Sequence, residues 1–143
     1  MIEMALMLLI AGLLYTTIAP VYLRVVEEKK ADSSADSMET IAADIDEFYK
    51  DNGYYPDALS DVFDPVPLDP WGNPYEYLKI EGSSGKGIGK LRKDKNLVPI
   101  NSDYDLYSRG PDGESTSPLT ASISQDDIVR GRNGAFFGKA SDY

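Results

Sequence analysis

Residues 4–23 form a run of twenty positions without a formal charge. Wound as a helix rising about 1.5 Å per residue, such a run matches the ~30 Å hydrocarbon core of a bilayer and predicts a membrane-spanning segment. A different pattern begins at Met38. Met38, Ile41, Ala42, Ile45, Phe48 and Tyr49 recur at i, i+3, i+4 and i+7 spacing, with Glu39, Asp44, Asp46, Glu47 and Lys50 between them. That periodicity predicts an amphipathic helix with one face to bury. Asn52 and Gly53 supply residues suited to a left-handed helix end, and Pro56 prevents the helix from resuming. Small and weakly helix-forming residues occupy 31–37, a segment expected to fray in isolation. A continuous helix over residues 1–52 would be roughly 75 Å long, more than twice the thickness of a bilayer, so its second half must lie outside the membrane. The chain therefore divides into an apolar helix (1–23), an amphipathic continuation (24–52) and a remainder (53–143).

In that remainder the alternation shortens. Eight of the nine prolines and eleven of the twelve glycines fall after residue 52, which leaves no room for a second long helix. Tyr75-Glu76-Tyr77-Leu78-Lys79-Ile80 and Tyr104-Asp105-Leu106-Tyr107-Ser108 alternate as strands. Paired antiparallel across the amphipathic helix, they predict an α+β fold: a long N-terminal helix packed against a small antiparallel sheet. Between them, Gly82-Ser83-Ser84-Gly85-Lys86-Gly87-Ile88-Gly89-Lys90, followed by Arg92, Lys93 and Lys95, reads as a solvated hairpin loop with concentrated positive charge. A phosphate-binding P-loop would need lysine at position 88, which is Ile88, and a helix after the loop. At the C-terminal end, Phe136 and Phe137 lie between glycines, and one or the other is expected to close the core.

Composition narrows the chemistry. The 143 residues include no cysteine and no histidine, which excludes disulfide frameworks, thiol nucleophiles, histidine-based zinc sites and Ser-His-Asp triads. No catalytic constellation emerges, so no enzymatic activity is expected. The net charge is −10 and belongs to residues 31–143, because the charges of the first thirty balance. A domain this acidic is unsuited to phosphate-backbone binding, and nucleic acid is not an expected partner.

The apolar run carries one acid on its leading edge, Glu3, where a secretory signal peptide would carry positive charge. A carboxylate inside a bilayer costs about 2.5 to 3.5 kcal/mol on insertion scales, so a buried Glu3 requires a partner. Pro20 removes one backbone hydrogen bond and predicts a kink or local melting, with Gly12, Thr16 and Thr17 as further soft points. Ile2-Glu3-Met4, the apolar run, Pro20 seventeen positions beyond Glu3, and the charged helical continuation resemble the N-terminus of the type IV pilin superfamily. The resemblance implies that Glu3 and Pro20 serve assembly, with the glutamate pairing with a neighbouring subunit's N-terminal amine as helices stack into a filament core.

Three further motifs look like the major pseudopilin group of type II secretion: Asn52-Gly53-Tyr54-Tyr55-Pro56 at the helix end, Asp69-Pro70-Trp71-Gly72-Asn73-Pro74-Tyr75, and Asp105-Leu106-Tyr107-Ser108-Arg109-Gly110-Pro111-Asp112-Gly113. On physical grounds the second is a rigid turn, with Trp71 packed on the sheet and Asp69 and Asn73 satisfying local backbone groups. The resemblance further implies bound Ca²⁺ in the loop after the second strand. Oxygens around Ser108 and Arg109, the Asp112 carboxylate, and Asp126 and Asp127 ahead of Ile128 would hold it. Six to eight hard oxygens from a flexible acidic loop suit that ion. An EF-hand counted from Asp103 fails, because Tyr107 and Ser108 stand where an acid and a glycine are needed.

The family's subunits polymerise from the inner membrane, as single-pass proteins, into a helical homo-oligomer. The filament is periplasmic or extracellular after assembly and works with minor pseudopilins and the secretion-system assembly platform. Two alternatives keep the same sequence features. One is a standalone surface pilus used in adhesion, and the other is a monomeric membrane-anchored calcium-binding module.

Overall fold

The computed structural model describes residues 1–83 and 88–143. One helix, α1 (Ile2–Asn52), is followed by four strands, β1 (Glu76–Lys79), β2 (Tyr104–Ser108), β3 (Ile128–Gly131) and β4 (Phe136–Lys139). The strands form one sheet in the order β1-β2-β3-β4, antiparallel throughout. The fold is α+β, and the expected pairing of the first two strands is present, with Tyr77 opposite Leu106 and Lys79 opposite Tyr104. The chain divides into two compact units, residues 1–30 and 31–143.

The first unit is helical from Ile2 onward, and its large apolar side chains, Leu8 and Leu9 among them, are exposed. The helix runs unbroken through Pro20, so the local melting expected there is absent. A single proline deletes one bond from a ladder whose other bonds carry across the gap. The Thr16 hydroxyl donates to the Leu13 carbonyl at 2.9 Å, and Thr17 bonds the carbonyls of Leu13 and Leu14, each at 3.1 Å. These bonds return the threonine side chains to their own helix and leave little polar surface facing outward.

In the second unit the remainder of α1 buries Ala31, Ser34, Met38, Ile41, Ala42 and Ile45. These residues pack with Leu59, Tyr75, Tyr104, Leu106 and Ile128 into the main core, and Tyr55, Trp71, Tyr77 and Phe137 close its margin. The 31–37 segment is fully helical in the folded chain. Tertiary contact outweighs its weak propensity: the buried Ser34 hydroxyl lies 3.2 Å from the Tyr75 hydroxyl across the core. Helix α1 ends where its sequence stops it. Gly53 adopts φ +79°, its N–H bonds the Tyr49 carbonyl at 2.7 Å, and the Asn52 amide caps the Phe48 carbonyl at 2.8 Å.

The sheet is covered on its other face too. Ile100, Leu119, Val129 and Ala140 form a second core with Tyr107, Phe136 and Tyr143. Phe136 and Phe137 therefore serve opposite faces of the sheet, one to each core. Strands β3 and β4 were not expected, because a strand buried on both faces loses the polar alternation that marks an exposed one; every residue of β3 is buried. Part of the expected hairpin loop, residues 84–87, lies outside the described residues. On its flanks Gly82, Gly89 and Lys90 are exposed, whereas Arg92 is buried.

Candidate functional site

The two residues expected to serve assembly lie in the first unit. Glu3 sits in the first turn of α1, at its positive end, and Pro20 lies inside the helix. The helix is long and apolar enough to cross a membrane by length and composition, and none of its apolar stretch is buried.

The expected metal residues come from the end of β2, the loop after it, and the approach to β3. Asp69, in the turn before β1, organises their base. One of its oxygens accepts the N–H groups of Trp71 (3.0 Å) and Asn73 (2.9 Å), closing the turn, and Gly72 completes it at φ +91°. The other accepts the Ser108 hydroxyl at 2.6 Å, and that hydroxyl also receives the Gly110 N–H at 3.1 Å. The Ser108 side chain is thus committed within the protein, so its contribution to a cation would come from its main chain. Arg109 is exposed and ion-paired with Glu76 on β1.

Gly110 brings the two limbs of the loop together. It adopts φ +65°, and a β-carbon there would overlap the Asp126 main-chain carbonyl and lie 3.2 Å from an Asp126 carboxylate oxygen. Asp112 is exposed and accepts the Glu114 N–H at 2.8 Å. Burial pushes the half-buried Asp126 carboxyl up; its own N–H opposes this, the Asp112 charge adds to it, and the Asp112 N–H opposes it. An Asp112 charge close enough to act on the Asp126 carboxyl, beside backbone drawn in tightly at Gly110, suits a hard cation.

Asp127 does not join them. It is fully buried, and its Oδ2 accepts the Arg92 Nη2 at 2.7 Å and the Ser115 hydroxyl at 2.5 Å. Its Oδ1 has no hydrogen-bond partner among the described residues. Burial pushes this carboxyl up to about 6, opposed by Ser115 and Arg92. Among the described residues no three acidic side chains gather as a metal cluster. The donor set implied by the resemblance therefore splits: Asp112, Asp126 and the main chain near Gly110 fit Ca²⁺, and Asp127 is held by an arginine.

Arg92, Ser115 and Asp105 were missed as parts of this region. The Arg92 guanidinium also bonds the Thr116 carbonyl and lies 3.6 Å from the Tyr107 ring centre, and the Arg92 main-chain N–H donates to Asp105 Oδ2 at 2.8 Å. Burial raises the Asp105 carboxyl, while the Arg92 N–H and the Asn101 amide oppose the shift. No local signal marks Arg92, which stands in the sequence among solvated lysines. A second pair joins buried Arg130 to part-buried Asp103 at 2.6 Å; the Arg130 guanidinium lies 3.9 Å over the Tyr104 ring, and the pair fixes the start of β2.

No protein-family model matches the chain. No solved structure matches it either. Among curated proteins, it is 25% identical to the type II secretion system core protein G of Pseudomonas aeruginosa over an alignment of 135 residues, covering 80% of this chain and 82% of that protein. That similarity bears out the resemblance carried by the motifs at residues 52–56, 69–75 and 105–113: over most of its length, the chain is similar to the major pseudopilin family of type II secretion.

Proposed function

We propose that this chain is a non-enzymatic structural subunit, the major pseudopilin of a type II secretion system. It waits in the inner membrane on residues 4–23 and polymerises into a helical filament, working with minor pseudopilins and an assembly platform. The observation that carries this reading is the contrast within α1, an exposed apolar half continuous with a half that spines a packed head. A helix apolar all round needs either lipid or other copies of itself to cover it.

In the filament, Glu3 of one subunit meets the N-terminal amine of the next. An out-of-register neighbour leaves that carboxylate buried and unpaired at a cost of several kcal/mol, so the pair sets the register. In the head, Ca²⁺ bound by Asp112, Asp126 and loop carbonyls ties the segment after β2 to the approach to β3. It supplies a cross-link between those two limbs on the Asp112–Asp126 side.

The test is Glu3→Ala expressed in a secreting host. Membrane insertion is expected to stay at the wild-type level, while filaments recovered by shearing and counted by electron microscopy fall by about tenfold or more, the loss that about 1.4 kcal/mol or more of pairing would produce. Wild-type filament numbers from that variant would sink the assembly reading.

A further inference from the structure

The position of Arg92 changes what the loop asks of a metal. Its side chain is 2% exposed and that of Asp127 is completely buried. Around it converge Tyr107 of β2, Ser115, the Thr116 carbonyl, and Asp127 at the entrance to β3. Thr116 is clasped a second time, because the Ser124 hydroxyl takes the Thr116 N–H and donates to the Thr116 carbonyl, both at 2.8 Å. The whole second limb of the loop, from 115 to 127, is thereby closed around a side-chain cation that the chain supplies itself.

We infer that Arg92 takes Asp127 out of the calcium ligand set and acts as a built-in cation. The 115–127 limb then keeps its fold without metal, and Ca²⁺ fastens only the Asp112–Asp126 side. A divalent ion on Asp127 would lie beside a buried guanidinium already bonded to the same carboxylate. Like charges that close in a low-dielectric site repel strongly. Arginine suits the post because its planar fork serves Ser115, Thr116 and Asp127 at once and stays charged when buried. The inference rests on the calcium reading above only for the Asp112–Asp126 side; the clamp itself is independent of it.

The experiment uses the full chain in detergent micelles, with calcium chloride as the probe and melting temperature and calorimetric titration as readouts. Asp112→Asn should weaken calcium binding about tenfold or more and Asp127→Asn less than about threefold, since affinity follows the charge of the true ligands. In excess chelator, Arg92→Met should lower the melting temperature by about 10 °C or more, because it strands a buried carboxylate. The double variant Arg92→Met/Asp127→Asn should recover part of that loss. Should Arg92→Met prove too unstable to purify, Arg92→Lys serves in its place, with a smaller loss expected. Asp127→Asn weakening calcium binding as much as Asp112→Asn, or Arg92 variants melting like wild type in chelator, would overturn the inference. If the wild type takes up no calcium, the calcium reading falls, and the melting series in chelator still decides the clamp.

Discussion

Two stretches of one helix follow opposite rules. In the first, Leu8 and Leu9 are 73% and 66% exposed; in the second, Met38 and Ile45 are 0% exposed. Both belong to α1 and share its backbone geometry, so the helical state itself decides nothing about which side chains are covered. What differs is the distribution of polar residues. Residues 31–52 place acids on the faces that α1 turns to solvent and apolar side chains on the face that meets the sheet. Residues 4–23 place apolar side chains all round. A one-faced helix finds its cover within its own chain, and an all-round apolar helix must find it elsewhere.

That comparison breaks most visibly at Ile45. Ile45→Ala should remove about 2 to 5 kcal/mol of head stability, whereas Leu9→Ala should change it by no more than ~0.5 kcal/mol. Chemical denaturation of the two variants in the same detergent checks this, and equal losses would erase the distinction. A smaller effect sharpens it. Tyr75→Phe removes the hydroxyl that meets buried Ser34, and a loss of about 1 kcal/mol is expected from that unmade bond. No loss would mean that the 31–37 segment is helical without help from the sheet. The smallest effect concerns the first unit itself. Deleting residues 1–30 should leave the head's melting temperature within ~2 °C of the full chain, as expected if the units fold independently. A collapse of the truncated head would show that the exposed half sustains the buried one.

Legibility in the sequence followed the same division between one covered face and two. The helix face from Met38 to Ile45 and the strands around Tyr77 and Leu106 could be read because each shows one apolar side against one polar side. Strand β3 could not, since Ile128, Val129 and Arg130 are all buried and show no alternation. Strand β4 hid in the same way, with Phe136 and Phe137 each serving a different core. In the loop, Asp112 and Asp126 stood in motifs whose chemistry can be argued locally. The fate of Asp127 depended on an arginine 35 positions earlier, whose charge reads as solvated until the fold buries it against a partner. Long-range neutralisation of two charges leaves no trace in either one's neighbourhood in the chain.

The turn at Asp69 gives the molecule an optical handle. The chain has a single tryptophan, whose main-chain N–H is gripped by the same carboxylate that holds Ser108 at the root of the loop after β2. Its indole also borders the main core. Any tightening or loosening at that root is thus conveyed through one side chain to the only indole present, and its emission can follow the head's condition with no dye attached.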